Sequence, residues 1–443
     1  MGIGILEFLR VLSVPILYFG GILTAIVSIF RKAEWGFMLM VALLPQPNIY
    51  YKLYELWQGK NFLDMLFIAV FLGIFINKKG FVKSENAIII VIFLVVSYLS
   101  VWNVSANFGL PAPITRENSV LVIWKSYFVM IVMYFLTINA IQDEKRQKQL
   151  IVIMSLVVLF IALRSFRSFK PGISFIEESR DAGPFWIVGL GSNHHGAFVA
   201  YCFSFIMGLF LLDTDIKRKL LYLATLFFSL HPLFFTYSRG AYLAALSALF
   251  IYGILKDRRL LVAVVIIVLL WQVVLPSSVV ERIQMTKESS SGELESSAAV
   301  RLDLWDSAID MFHEYPVFGS GFKGFTLAHR GEHWADTHNL YLKTLSEQGI
   351  IGGLLLLIIM LGAVRSGWKL YRRGDSSFQR GLGLGFLGCV TAHIVANIFG
   401  DRFSYFEMGS YFWVFWGLVD RGILITQASK QKLALAENAV PSC

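Results

Sequence analysis

Residues 333–361, HWADTHNLYLKTLSEQGIIGGLLLLIIML, pass within a few positions from two histidines and two acids into an apolar run. A helix needs about 20 mostly apolar residues to cross a bilayer, and the stretch 338–364 supplies them. The polar cluster at its head therefore sits where a chain segment enters the membrane.

The same kind of block recurs along the chain. Of the 443 residues, 56% are apolar, 15% are aromatic and only 16% are charged, and the mean hydropathy is +0.64. These values lie outside the soluble range. Apolar stretches fall near 12–30, 35–50, 62–77, 85–103, 119–141, 149–163, 185–212, 219–237, 240–256, 260–276, 338–364, 381–399 and 404–425. No strand-like alternation accompanies them, so the expected fold is all-α, a polytopic transmembrane helical bundle of about 12–13 spans. The expected organisation is N-terminal spans over 1–276, a long loop over 277–337, further spans over 338–425 and a tail over 426–443.

The net charge of +9 does not point to nucleic acid, because the bases cluster in short connections between spans. Lys/Arg pairs and triplets at 31–32, 78–83, 145–148, 217–219, 256–259 and 369–373 occupy every second connection. By the positive-inside rule these face the cytoplasm. The alternate set then faces outward: 111–118, the loop 277–337 and GDRFSY at 400–405. Three bases in RSFRSFK, 164–170, run against this pattern. The N-terminus has neither a basic leader nor a small-residue cleavage site, so no removable signal peptide is expected. Cys202 and Cys389 lie inside apolar blocks and Cys443 is the last residue, so neither a disulfide framework nor a thiol metal site is expected.

Within the outer loop, residues near 298–314 read as an amphipathic helix ended by Tyr315-Pro316. On a helical wheel Arg301 shares a face with Trp305, Ala308 and Phe312, whereas Asp303, Asp306 and Asp310 lie opposite. Arg239 at the outer end of two spans, Lys125 inside an apolar block and Arg402 in the last outer loop are further cations in costly places. Asp401, adjacent to Arg402, offers a ready neutralising partner. Together these cations suggest an anionic ligand presented from the outer leaflet.

Two apparent motifs carry no chemistry on this reading. Gly319, Gly321 and Gly324 spell GxGxxG without a preceding strand and on the wrong side for nucleotides. His329, Glu332 and His333 spell HxxEH, but Gly331 interrupts any helix there, and no metal is expected. Adjacent His194 and His195 diverge on a helix and have no partner at ligand spacing.

The ordered segments TYSRGAY, RLDLWDSAIDMFHEYPVFGSGF and DTHNLYLKTLSEQGIIGGLLLL resemble the signature of the O-antigen ligase and polymerase superfamily. This superfamily comprises WaaL-type ligases, Wzy-type polymerases and bacterial protein O-oligosaccharyltransferases. The resemblance is strongest over 193–361, and the overall layout is similar to O-glycosylation ligases associated with exosortase and exopolysaccharide loci. It implies a multi-pass enzyme of the bacterial inner membrane whose active site faces the periplasm. Such an enzyme moves a glycan from undecaprenyl diphosphate to an acceptor hydroxyl on lipid A-core, a growing glycan or a protein, with no cofactor. Arg239 and Arg301 match the family's functional arginines and His338 its histidine, while Lys125 and Arg402 are added from their placement.

Histidine suits the role of base near neutral pH, and preplaced guanidiniums suit a diphosphate leaving group. A histidine at a helix start can also merely help cap it, with Asp336 or Thr337 as the cap residue, and Asn339 beside it is a candidate site residue for which hydrogen bonding or packing is the alternative. A secondary transporter is the competing class, but the unusual residues gather at one boundary and not at mid-bilayer, and no repeated halves are apparent.

Overall fold

The computed structural model describes residues 5–77, 81–170, 172, 174–285, 296–328 and 336–438. Among them are helices and no strands. Fifteen helices of eight or more residues follow in order. They are α1 Ile5–Phe30, α2 Ala33–Leu43, α3 Phe62–Asn77, α4 Ala87–Phe108, α5 Ser119–Ala140, α6 Glu144–Ser168, α7 Ser192–Leu212, α8 Ile216–Phe235, α9 Arg239–Leu255, α10 Arg259–Leu269, α11 Ser277–Gln284, α12 Ser296–Glu314, α13 Leu340–Arg373, α14 Ser377–Ala396 and α15 Phe406–Asn438.

Each of the apolar stretches read from the sequence folds as helix. Among the described residues eight helices are long and apolar enough to cross a membrane, whereas α2, α9 and α10 are apolar but shorter. The stretch at 35–50 is cut where Pro45 and Pro47 follow, and α2 ends at Leu43. The stretch at 185–212 begins as a 3₁₀ turn, Gly183–Val188, and becomes α-helical only at Ser192.

Short polar side chains start several of these helices. Asn118, Asp143, Asp215, Ser376 and Asn339 each accept a hydrogen bond from a backbone N–H in the first turn of α5, α6, α8, α14 and α13 respectively. These caps satisfy donors that the helix itself cannot.

The most buried helices are α7, α14 and the first half of α15. Gly208 of α7 meets Gly385 of α14 so closely that a Cβ on Gly208 would stand 2.3 Å from the Gly385 Cα. Small residues permit that backbone approach. Phe205 stacks on Phe415 at 3.7 Å, and Trp413 stacks on Trp416 at 5.6 Å. Large apolar side chains such as Phe19, Phe75, Ile88, Leu99, Phe227 and Leu361 point outward, as expected for a lipid-facing surface.

The basic connections gather at one end. Lys369 pairs with Glu85, Ser376 donates to Glu144 at 3.0 Å, Arg421 donates to the Gln142 carbonyl at 2.6 Å, and Tyr371 donates to the Leu255 carbonyl at 2.9 Å. The opposite set of connections converges at the other end.

Candidate active site

At that other end, four arginines from separate parts of the chain enter one cavity of about 270 Å³. Arg239, Arg282, Arg301 and Arg402 line it together with Asn193, Ser238 and Phe399.

Arg239 opens α9 two residues after Tyr237, whose φ of +50° turns the chain sharply between α8 and α9. The Tyr237 hydroxyl donates to Ser278 of α11 at 3.0 Å, which ties this turn to the helix bearing Arg282. Arg180 braces the same wall: its Nε donates to the Thr236 carbonyl at 3.0 Å and its Nη2 to Asn193 Oδ1 at 2.7 Å. Arg282 is buried, with its guanidinium 4.8 Å from the Phe175 ring centre and 3.7 Å from Glu177.

Arg301 lies on the inward face of α12, as the wheel predicts. Leu304, Ala308 and Met311 of that face pack with Phe325 in a buried cluster, while Asp303, Asp306 and Asp310 are exposed. The face is set by Leu304 and Met311 more than by Trp305 and Phe312, which are half-buried.

Arg402 is 5% exposed. Its neighbour Asp401 makes no ion pair with it, because that carboxylate is hydrogen-bonded elsewhere. Asp401 accepts from Lys343 Nζ at 2.6 Å and from the N–H groups of Phe403 and Ser404 at 3.0 Å each. Burial alone would raise the Asp401 carboxyl, and the Lys343 ammonium holds it below the usual carboxylate range.

His338 is not among the lining residues. Its φ is +51°, in the left-handed region, and its N–H donates to Asp336 Oδ1 at 3.1 Å. Burial lowers the imidazole pKa below its ordinary value. Asp336 opposes this, and the charges of Arg301 and Arg402 add to it. The ring is thus within electrostatic reach of two cavity arginines, and its neutral form is favoured.

Two sequence-selected residues have other roles. Asn339 is the cap of α13, its Oδ1 accepting from Tyr341 N at 2.9 Å and Leu342 N at 3.2 Å. Lys125 does not line the cavity: its side chain is 56% exposed and pairs with Asp64 of α3. A neighbouring helix supplies the counter-charge, which linear sequence cannot reveal.

The glycines of GxGxxG are structural. α13 breaks at Gly349 (φ +62°), and the loop after α12 fills the gap: Ser320 N and Gly321 N donate to the Ser346 and Glu347 carbonyls at 2.9 and 2.8 Å, while Ile350 N donates to the Pro316 carbonyl at 2.9 Å. A Cβ on Gly319 would lie 2.2 Å from the Glu347 carbonyl carbon. His194 and His195 diverge, the first edge-on to Tyr405 and the second facing Asp181 at 3.7 Å. His329, Glu332 and His333 lie outside the described residues. Among the described ones no group of three or more His, Cys, Asp or Glu side chains is placed to hold a metal.

Sequence reasoning missed Arg282, Arg180 and Lys343. Arg180 carried a signal, since it extends the excess of bases already anomalous at 164–170. Arg282 and Lys343 did not stand out, because a base in a loop or beside a polar helix start is ordinary.

Residues 224–357 match the family model described as O-antigen ligase. The matched segment contains Arg239, Arg282, Arg301, His338 and Lys343 and ends before Arg402. The comparison with curated proteins gives no match.

Proposed function

We propose, from the premise that the chain is a membrane protein of the O-antigen ligase and polymerase superfamily, that its arginine cavity holds the diphosphate of undecaprenyl-diphosphate-linked glycan. His338 is then the base that activates an acceptor hydroxyl. The observation that carries this reading is the convergence of Arg239, Arg301, Arg402 and Arg282 on one cavity. Guanidiniums gathered around one partly desolvated space suit an anion, and their planar forks match phosphate oxygens.

In the proposed reaction the acceptor hydroxyl gives its proton to the neutral imidazole of His338. Its oxygen forms a bond to the anomeric carbon of the donor sugar as the bond from that carbon to the diphosphate oxygen breaks. The leaving oxygen keeps the electron pair, and the guanidiniums stabilise the charge that grows there. Each charge-assisted hydrogen bond contributes about 1.5–3 kcal/mol. The site faces the periplasm of the bacterial inner membrane, because its elements come from the connections opposite the basic ones. Donor, acceptor and membrane lipid all meet at that boundary. Lipid A-core, a growing glycan and a protein hydroxyl are acceptors compatible with this donor chemistry.

The test is transfer by purified protein supplied with undecaprenyl-diphosphate-linked glycan and, separately, each acceptor class. The expected result is a new glycosidic product from one class, with undecaprenyl diphosphate released in equal amount. Failure of every acceptor, with no donor bound, would overturn the reading.

A further inference from the structure

Lys343 is a buried cation in an unfavourable place. It lies in the first turns of α13, its N–H bonded at 2.9 Å to the carbonyl of the cap residue Asn339. Positive charge near a helix N-terminus opposes the helix dipole, and Lys343 is only 5% exposed. Two carboxylates compensate it: Asp401 at 2.6 Å and Asp336 at 3.8 Å. Asp401 immediately precedes Arg402, and Asp336 accepts the N–H of His338. One ammonium therefore links the two loop segments that carry the base and a cavity arginine.

We propose that Lys343 is a positioning residue whose function is to occupy Asp401 and so keep Arg402 available for the diphosphate. This rests on the reading of the cavity given above. With Lys343 in place, Asp401 has three donors. Among the described residues, no carboxylate comes within ion-pair distance of the Arg402 guanidinium. Without Lys343, the buried Asp401 carboxylate loses its hydrogen-bonded ammonium, although Lys323 also acts on it, and the adjacent Arg402 is a cation that can take that place. That new pair would neutralise the guanidinium needed by the anion. The cost of losing Lys343 would then fall on donor binding, although the ammonium touches no donor atom.

The experiment measures binding of undecaprenyl diphosphate to purified full-length protein. Lys343→Met is expected to weaken binding about tenfold, comparable with loss of one charge-assisted contact. Lys343→Met with Arg402→Ala should be no weaker than Arg402→Ala alone, since both act through one guanidinium. The decisive variant is Lys343→Met with Asp401→Asn, which removes the competing carboxylate and the uncompensated buried charge together and should restore binding close to wild type. If this pair of changes does not restore binding in a protein that remains folded, or if Lys343→Met alone binds normally while Arg402→Ala does not, the positioning role is overturned and the anion site stands. Normal binding by Arg402→Ala would instead overturn the place of Arg402 in the anion site, and the inference with it.

Discussion

His338 holds a backbone conformation that few non-glycine residues adopt, with its N–H on Asp336 and two arginines within electrostatic reach. Strain of this kind persists where surrounding contacts over-determine it. If the residue is the base, His338→Ala should lower turnover by roughly two to four orders of magnitude while donor binding persists, measured as single-turnover rate against donor affinity. The protonated ring cannot accept the hydroxyl proton, so activity must fall as pH drops through the folded pKa. Burial and the two arginine charges place that acid limb below the ordinary imidazole value of about 6.5. Asp336→Asn removes an influence that raises this pKa and should move the limb to lower pH. A pH–rate profile without an acid limb would count against a titrating base. At this scale Arg239 and Arg301 were singled out as cations in costly places, and the fold brings both to one cavity; His338 was singled out mainly through the family resemblance, and its role stays a proposal. The state of Arg402 was not legible in the sequence: whether Asp401 pairs with it depends on Lys343, 58 residues away.

α13 illustrates what an apolar run conceals. Its sequence reads as one continuous span, and no proline marks a break, yet the helix is interrupted at Gly349 and sealed by backbone hydrogen bonds from the loop that follows α12. That seam connects the arginine-bearing helix α12 to the helix that His338 precedes. A Cβ on Gly349 would lie 2.2 Å from the Val317 carbonyl oxygen, at a φ that disfavours side chains. Gly349→Ala should therefore destabilise the folded protein by roughly 1–3 kcal/mol, seen as a lower midpoint of thermal unfolding in detergent. An unchanged midpoint would show that the seam adapts. Asn339→Ala removes a cap and should cost about 1 kcal/mol, with a far smaller effect on turnover than His338→Ala. The amphipathic face of α12 was legible from its spacing. The seam was not, because its bonds join backbone groups and leave only glycines as a trace.

Across the whole molecule, charge sorts the two ends. The basic connections meet one another at one end, and the arginine cavity is built from the alternate connections at the other. The alternation of basic loops was readable directly, whereas the convergence of residues 180, 239, 282, 301 and 402 requires the fold. In a Cys443→Ser background, a cysteine replacing His313 should react with a membrane-impermeant maleimide on spheroplasts, and one replacing Lys430 only after lysis. Labelling of both from the same side would contradict the proposed orientation. The central claim is that the cavity binds the donor's diphosphate, and equilibrium binding of undecaprenyl diphosphate to purified wild type, Arg239→Ala, Arg301→Ala, Arg402→Ala and His338→Ala tests it most directly. The account predicts affinity losses of roughly ten- to a hundredfold for each arginine variant and near-normal affinity for His338→Ala. Wild-type affinity in all three arginine variants would contradict it.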